Sequence, residues 1–328
     1  MRSLLLTGIA AGLLVCASPA FAQPRFGQAD ELEEFIQAVA SRHDFEAAEL
    51  RRLLEQAEPR QDIIDAISNP AERLPWHRYR PIFLRSERIE HGVAFWNKHA
   101  DLLQRISAEY GVPPEILVAI VGVETFYGRY KGRHRVLDAL ATLGFNYPPR
   151  AEFFRRELEQ FLLLVREEGL DPLQLTGSYA GAMGMPQFIP SSYRNYAADG
   201  DGDGRRDLFN STADILASVA NYFRRHHWET GGPIAVPAKV RGSSWREVGD
   251  ADLKPQRRLS ELRAAGVLPQ ATVAGDPVAR LLTLEAADGD EHWVTFNNFY
   301  VITRYNHSPL YAMAVFQLAE EIKRQRSR

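Results

Sequence analysis

The sequence predicts a mainly α, α+β chain with one small antiparallel β insertion. Three observations predict it. Apolar residues recur at three- and four-residue spacing through most of residues 28–226. Short alternating or continuous β-type runs are confined to 233–297, with a turn at Asp288-Gly289-Asp290. Helical spacing then returns from Pro309 to Arg324.

Taken in order, residues 28–58 read as a helical pair. Phe35, Ile36, Val39 and Ala40 make one stripe; Leu50, Leu53 and Leu54 make the other, with Asp44 as the cap of the second helix. Pro70, Pro75 and Pro81 predict an irregular connection over 60–80. Arg85 to Tyr110 reads as one long amphipathic helix with Ile89, Val93, Phe95, Trp96, Ala100, Leu103 and Ile106 inward. Pro113 to Tyr127 follows as a helix, its proline pair suited to a first turn and Gly128 and Gly132 to its end. Short helices are predicted at Arg135–Leu143 and Ser191–Ala198, and longer ones at Ala151–Glu168 and Thr212–His226, with a turn over Phe145–Arg150. In the β-type region, 234–236, 279–284 and 292–296 read as strands and Ser260–Ala265 as a short helix. Asn298–Asn306 leads into the last helix.

Residues 1–22 read as a cleavable export signal: Arg2, an apolar run from Leu4 to Val15, and the small-x-small step Ala20-Phe21-Ala22. The expected location is the periplasm. The one cysteine, Cys16, lies within that signal, so the mature chain has no disulfide. Val15 stands where a lipid-attachment site expects a small residue, which argues against an anchor at Cys16. No later stretch is apolar enough to span a bilayer. A net charge of −3 argues against a nucleic-acid partner, which asks for a basic excess.

The chemistry centres on Glu124. On a helix, Leu117, Ile120, Val121 and Tyr127 share its face. Burial among them disfavours the carboxylate form, as a general acid requires. The run Gly177-Ser178-Tyr179-Ala180-Gly181-Ala182-Met183-Gly184 lets a backbone approach a helix or a ligand closely, with Ser178 and Gln187 as the polar groups on offer. Asn298 to His307 combines aromatic rings with amides, as sugar rings require. It reads equally as a helix entrance capped by Asn306. Asp199-Gly200-Asp201-Gly202-Asp203-Gly204 has the oxygen spacing and turn glycine of an EF-hand loop. Asn210 stands where the closing Glu belongs, and Asp214 from the next helix is the substitute ligand. The implied cofactor is a structural Ca2+. There is no phosphate loop, no His/Cys cluster and no serine–histidine–aspartate pattern.

The stretches VGVETFYGRYKGRHRVLDALATLGFNYPPRAEFF, GSYAGAMGMPQFIPSSY, DGDGRRDLFNSTADILASVANYF and NFYVITRYNHSPLYAMAVFQL resemble the B-type lytic murein transglycosylases of Gram-negative bacteria, over nearly the whole mature chain. The resemblance implies a lysozyme-like catalytic core over 111–232, a helical region over 23–110, a β-rich insertion over 233–297, and a return to the core over 298–328. It implies cleavage of the β-1,4 bond between N-acetylmuramic acid and N-acetylglucosamine in peptidoglycan, leaving 1,6-anhydro ends. Glu124 matches the single acid/base. Ser178, Gln187, Phe188, Tyr222, Tyr305, Asn306 and Tyr311 match residues of the saccharide groove, and Arg150 matches a residue that contacts the peptide stem. Asp199, Asp201, Asp203, the carbonyl of Arg205 and Asp214 match calcium ligands. Where the family's consensus is GYGQF, this chain has Met185-Pro186-Gln187-Phe188, and the proline lacks a backbone donor. The expected partners are peptidoglycan strands and other cell-wall enzymes, for a monomer. The rival readings are a hydrolytic muramidase with a second carboxylate, and a non-catalytic calcium-stabilised wall-binding protein.

Overall fold

The computed structural model describes residues 26–27, 29–68, 74–249 and 252–328. The export signal, Cys16 and Pro70 lie outside them. The chain is mostly helical: α1 (Ala29–His43), α2 (Ala47–Leu54), α3 (Gln61–Ser68), α4 (Trp76–Phe83), α5 (Ser86–Lys98), α6 (Ala100–Tyr110) and α7 (Pro114–Thr125) come first. A two-residue strand, β1 (His134–Arg135), precedes α8 (Val136–Asn146) and α9 (Ala151–Glu168), and pairs with β2 (Thr176–Gly177). Next come α10 (Pro190–Tyr196) and α11 (Thr212–Arg225).

The β-type region holds β3 (Ala235–Val240), β4 (Arg257–Arg258), α12 (Leu259–Ala264), β5 (Val267–Pro269), β6 (Val278–Ala286) and β7 (Gly289–Thr295). The strands form one antiparallel sheet in the order β4-β6-β7-β3-β5. Side chains alternate along β6. Leu281 joins Leu259, Leu262, Val267 and Phe296 in a small cluster on one face, whereas Leu282 and Leu284 join the main helical core. The chain then returns through α13 (Asn297–Tyr305) and α14 (Pro309–Arg326).

Four expectations need correction. Asp44 does not cap α2: it sits in the left-handed region (φ 56°), and Glu46 is the capping position. The segment expected to be irregular over 60–80 contains α3 and α4. Pro75 is the start signal of α4, and Pro81 lies inside that helix. The single helix expected over 85–110 is two helices broken at His99 (φ −118°, ψ 26°). Each buries its own face: Trp96 is buried on α5, and Leu103 and Ile106 on α6. Asn298–Asn306 is no mere lead-in, because Asn297–Tyr305 is helical.

Helix α7 runs through the core. Every residue from Ile116 to Val121 is at most 1% exposed. α14 lies against it and contributes Met313, Ala314, Val315, Leu318 and Ile322, all fully buried. The ends are tied by Lys323, whose ammonium lies 2.7 Å from the Glu115 carboxylate. Among the described residues no single helix is long and apolar enough to cross a membrane.

The helix stops two residues earlier than its pattern suggests. Phe126 (φ 51°), Tyr127 (φ 59°) and Gly128 (φ 90°) are all left-handed. Tyr127 therefore leaves the face of Glu124. Its ring wedges between α5 and α7, and its hydroxyl donates to the Arg88 carbonyl at 2.9 Å. A Cβ on Gly122 would lie 2.7 Å from the Tyr127 ring carbon bearing the hydroxyl, and one on Gly92 2.5 Å from the hydroxyl itself. Gly122→Ala is expected to cost about 1–3 kcal/mol by overpacking. A thermal melt should show a lowered Tm, and Tyr127→Leu in the same chain should recover part of the loss.

Candidate active site

Glu124 occupies the last turn of α7 and is half-buried, although the helix before it is wholly buried. The chain folds this way because the left-handed turn ends the helix there. Thr125 locks that turn: its hydroxyl donates to the Met185 carbonyl at 3.0 Å and accepts from the Gly128 N–H at 3.0 Å. Sequence reasoning missed Thr125. Its only signal was a hydroxyl closing an otherwise apolar helix.

Helix α14 brings Tyr311 to Glu124. The Tyr311 hydroxyl donates to Glu124 Oε1 at 2.5 Å. Burial first, then the Glu124 charge, push the Tyr311 hydroxyl well above the ordinary phenol range, so it remains a donor. Tyr305 stacks on Tyr311 with centroids 6.4 Å apart and planes 10° apart, and donates to the Pro186 carbonyl at 2.6 Å. Phe188 and Tyr222 complete the wall, 5.8 and 4.9 Å from the Tyr305 ring. Tyr222 donates to the Arg304 carbonyl at 2.5 Å. All three phenols are thus committed within the protein. Phe188, Tyr222, Tyr305 and Tyr311, scattered in sequence, form one continuous aromatic wall beside Glu124.

The glycine-rich loop borders the same site, since Thr125 and Tyr305 donate to its Met185 and Pro186 carbonyls. Ser178 Oγ accepts from the Ala180 and Ala182 N–H groups at 3.2 and 3.1 Å. Gln187, in a left-handed conformation (φ 52°), donates its amide to the Gly184 and Lys131 carbonyls at 2.9 and 3.1 Å. Both side chains expected to face a ligand also hold the loop. Among the described residues nothing else takes the Ser178 hydroxyl proton or the Gln187 side-chain oxygen, which remain for one. A Cβ on Gly184 would stand 2.4 Å from the Leu208 carbonyl, so only glycine allows this approach.

Two residues behave differently from expectation. Asn306 does not cap α14: Ser308 does, its Oγ accepting from the Tyr311 N–H at 3.3 Å. Arg150 is exposed, with its guanidinium 4.4 Å from the Phe153 ring centre and 5.2 Å from that of Phe154. It shares no hydrogen bond or ring contact with the Glu124 wall among the described residues.

The acidic loop brings Asp199, Asp201 and Asp203 together, with one oxygen from each within 4.8 Å of the others. No basic side chain pairs with them among the described residues. The loop is wound by its own carboxylates. Asp199 accepts from the Gly202 and Gly204 N–H groups, and Asp203 from that of Arg205. Asp214 is not part of the three-oxygen group. It is 1% exposed and clamps the loop from beneath, accepting from the Gly200 and Asp207 N–H groups at 2.7 Å each. The donor set is hard oxygen, which fits a calcium-type cation.

The family model described as "Transglycosylase SLT domain" matches residues 27–320. Membrane-bound lytic murein transglycosylase B of Escherichia coli (strain K12) is 43% identical over 307 residues, covering 90% of this chain and 84% of that protein. The soluble lytic transglycosylase SltB1 of Pseudomonas aeruginosa superposes with a TM-score of 0.85 at 50% identity, covering 91% of this chain and all of the other. Slt35 of Escherichia coli, solved in complex with calcium, gives 0.84 at 43% identity and covers 92% and 96%. SltB3 of Pseudomonas aeruginosa, solved with NAG-anhNAM-pentapeptide, gives 0.77 at 30% identity and covers 90% and 79%. The chain shares the lysozyme-like fold of these neighbours. Likeness of this strength over nearly the whole length places it in their family: the chain belongs to the SLT-domain transglycosylases and is a peptidoglycan-cleaving lytic transglycosylase.

Proposed function

We propose that Glu124 alone carries the proton chemistry of this lytic cleavage, at the bond between N-acetylmuramic acid and N-acetylglucosamine. One observation carries the reading. The buried Tyr311 hydroxyl donates to Glu124 at 2.5 Å, and no other carboxylate hydrogen-bonds the aromatic wall among the described residues. Ordinary glycosidases flank the bond with two carboxylates. A single one is sufficient when the substrate supplies the rest.

Glu124, protonated, gives its proton to the glycosidic oxygen as the bond from C1 breaks. The carbonyl oxygen of the muramoyl 2-acetamido group closes on C1 in its place. The Glu124 carboxylate then takes the proton from the C6 hydroxyl, O6 attacks C1, and the acetamido oxygen departs. The acid is regenerated and no water is consumed. Proximity makes the C6 hydroxyl a better nucleophile than solvent. Ser178, Gln187, Asn306 and the ring wall of Phe188, Tyr222, Tyr305 and Tyr311 frame the sugars. Arg150 reaches toward the peptide stem. The catalytic core spans 111–232, completed by 298–328, with 23–110 and 233–297 as its flanks. The chain acts as an exported periplasmic monomer on glycan strands, alongside other wall enzymes.

Asp199, Asp201, Asp203 and the Arg205 carbonyl are proposed to hold a structural Ca2+, with Asp214 bracing the loop. Three clustered carboxylates repel one another, and a cation would relieve this.

Glu124→Gln is expected to keep the fold and glycan binding and to lose turnover by at least about 100-fold to 10,000-fold. Mass spectrometry of digested peptidoglycan checks it. The wild type should release muropeptides one water lighter than hydrolytic products. Reducing-end products would instead require a second carboxylate. Tyr311→Phe removes a donor that favours the carboxylate form of Glu124, so the acid form should persist to higher pH. The alkaline limb of kcat/KM against pH should therefore move up in the variant, and a limb that stays or moves down would remove Tyr311 from the control of Glu124. Added CaCl2 should raise the wild-type Tm, by about 2.7 kcal/mol of stabilisation at a hundredfold excess over Kd. Asp201→Asn/Asp203→Asn should abolish that response, and an unchanged response would remove the ion from this loop.

A further inference from the structure

The left-handed turn that ends α7 places Phe126 two residues beyond Glu124, so their Cα atoms lie within about 7 Å. On the Phe126 ring sits the Arg88 guanidinium, 5.1 Å from its centre. The Phe83 ring centre lies at the same distance, 5.1 Å. Arg88 Nε and Nη1 are buried and have no hydrogen-bond partner. No carboxylate pairs with Arg88 among the described residues. The neighbouring Glu87 is engaged by Arg129 at 3.4 Å.

An arginine in this state is costly. Ring faces stabilise the cation, but unpaired buried N–H groups retain their desolvation penalty. An apolar side chain would fill the slot without that penalty. Of its three nitrogens only Nη2 keeps exposed surface, and it makes no hydrogen bond among the described residues. A guanidinium N–H donates to a carboxylate in a charge-assisted hydrogen bond. Arg129 adds a second cation 5.8 Å from the Phe126 ring and 5.5 Å from that of Tyr130, which is 63% exposed. The result is a cationic aromatic patch, built around a ring two residues along the chain from Glu124, on a chain of net charge −3.

We propose that Arg88, through the Nη2 left open beside Phe83 and Phe126, receives a carboxylate of the peptide stem carried by the muramoyl sugar. The subsite rests on the proposed substrate and adds a specificity determinant to it. It makes the enzyme favour strands that still bear acidic stems over bare glycan.

The variant is Arg88→Met, which fills the same slot without charge. Its kcat/KM is measured on peptidoglycan strands with stems intact and on strands freed of stems by an amidase. On stem-bearing strands the variant should lose about ten-fold to a hundred-fold, the range of one hydrogen bond to a charged group. On bare strands it should match the wild type, and Arg88→Lys should recover part of the loss. Equal losses on both substrates, or none on either, would overturn the subsite. The melt separates a structural role: Arg88→Met should melt at or above the wild-type Tm, and a large drop would also overturn it. Calorimetric binding in a Glu124→Gln background tests the subsite without turnover. There Arg88→Met must shrink the affinity difference between the two strand preparations, and an unchanged difference would overturn the subsite. A wild type inactive on both substrates would sink the assignment of Glu124 and leave this binding result to stand or fall alone.

Discussion

The site depends on one packing constraint, the antiparallel pairing of α7 with α14. Two contacts fix it, one at each end: Lys323 on Glu115 and Tyr311 on Glu124. They join residues 208 and 187 positions apart. Between them the two helices bury a nearly continuous apolar seam, so sliding one along the other would break both polar contacts and unpack the seam together. A sheet of five strands is inserted in that interval. Loop-closure entropy grows only logarithmically, by about 0.6 kcal/mol per doubling of length. The insertion is therefore cheap as long as the α14 face still fits α7.

Backbone strain is concentrated where the chemistry lies. Among the described non-glycine residues, five have positive φ, and Phe126, Tyr127 and Gln187 are three of them. Two follow Glu124 after Thr125, and the third belongs to the loop that Thr125 and Tyr305 hold. Such conformations each cost on the order of 1–3 kcal/mol and persist only when the surroundings over-determine them. Here the determinants are visible. Tyr127 is wedged against Gly92 and Gly122, Thr125 ties the turn to Met185, and Gln187 is pinned by its own amide. The strain converts a buried helix end into a half-open carboxylate. A helix that continued through Tyr127 would keep Glu124 inside the seam.

The sequence made α9 and α11 legible almost to the residue, because long stripes of buried residues at helical spacing override local composition. The β insertion was legible from its change of period. The break at His99 was not, since the apolar spacing runs through it unbroken and only the two packing partners, α14 for α5 and α11 for α6, divide it. Prolines misled over 60–80, where Pro75 starts a helix as readily as a proline ends one. Glu124, the glycine loop and the aspartate loop could be found because their residue types are unusual in their settings. Tyr311 and Tyr222 carried no local signal. Each looks like any aromatic on a helix face, and their meeting depends on tertiary packing, so only resemblance pointed to them. Arg88 was invisible for the same reason: its two rings come from different elements.

The committed phenols change what the aromatic wall does. Tyr222, Tyr305 and Tyr311 are at most partly exposed, and each donates its proton to the protein. The Tyr305 and Tyr222 hydroxyls anchor the Pro186 and Arg304 carbonyls, so the wall fixes the position of the loop facing Glu124. Pro186 loses a backbone donor, but its carbonyl is the acceptor that Tyr305 needs, so the substitution at this step preserves the anchor. Only Tyr311 spends its proton on the reacting group. A single residue that must act first as acid and then as base needs neither form strongly preferred. The surrounding apolar seam favours the neutral acid, and the Tyr311 donor favours the carboxylate. The Tyr311 donor thus opposes the apolar seam at the one residue that has to hold a proton and then take one.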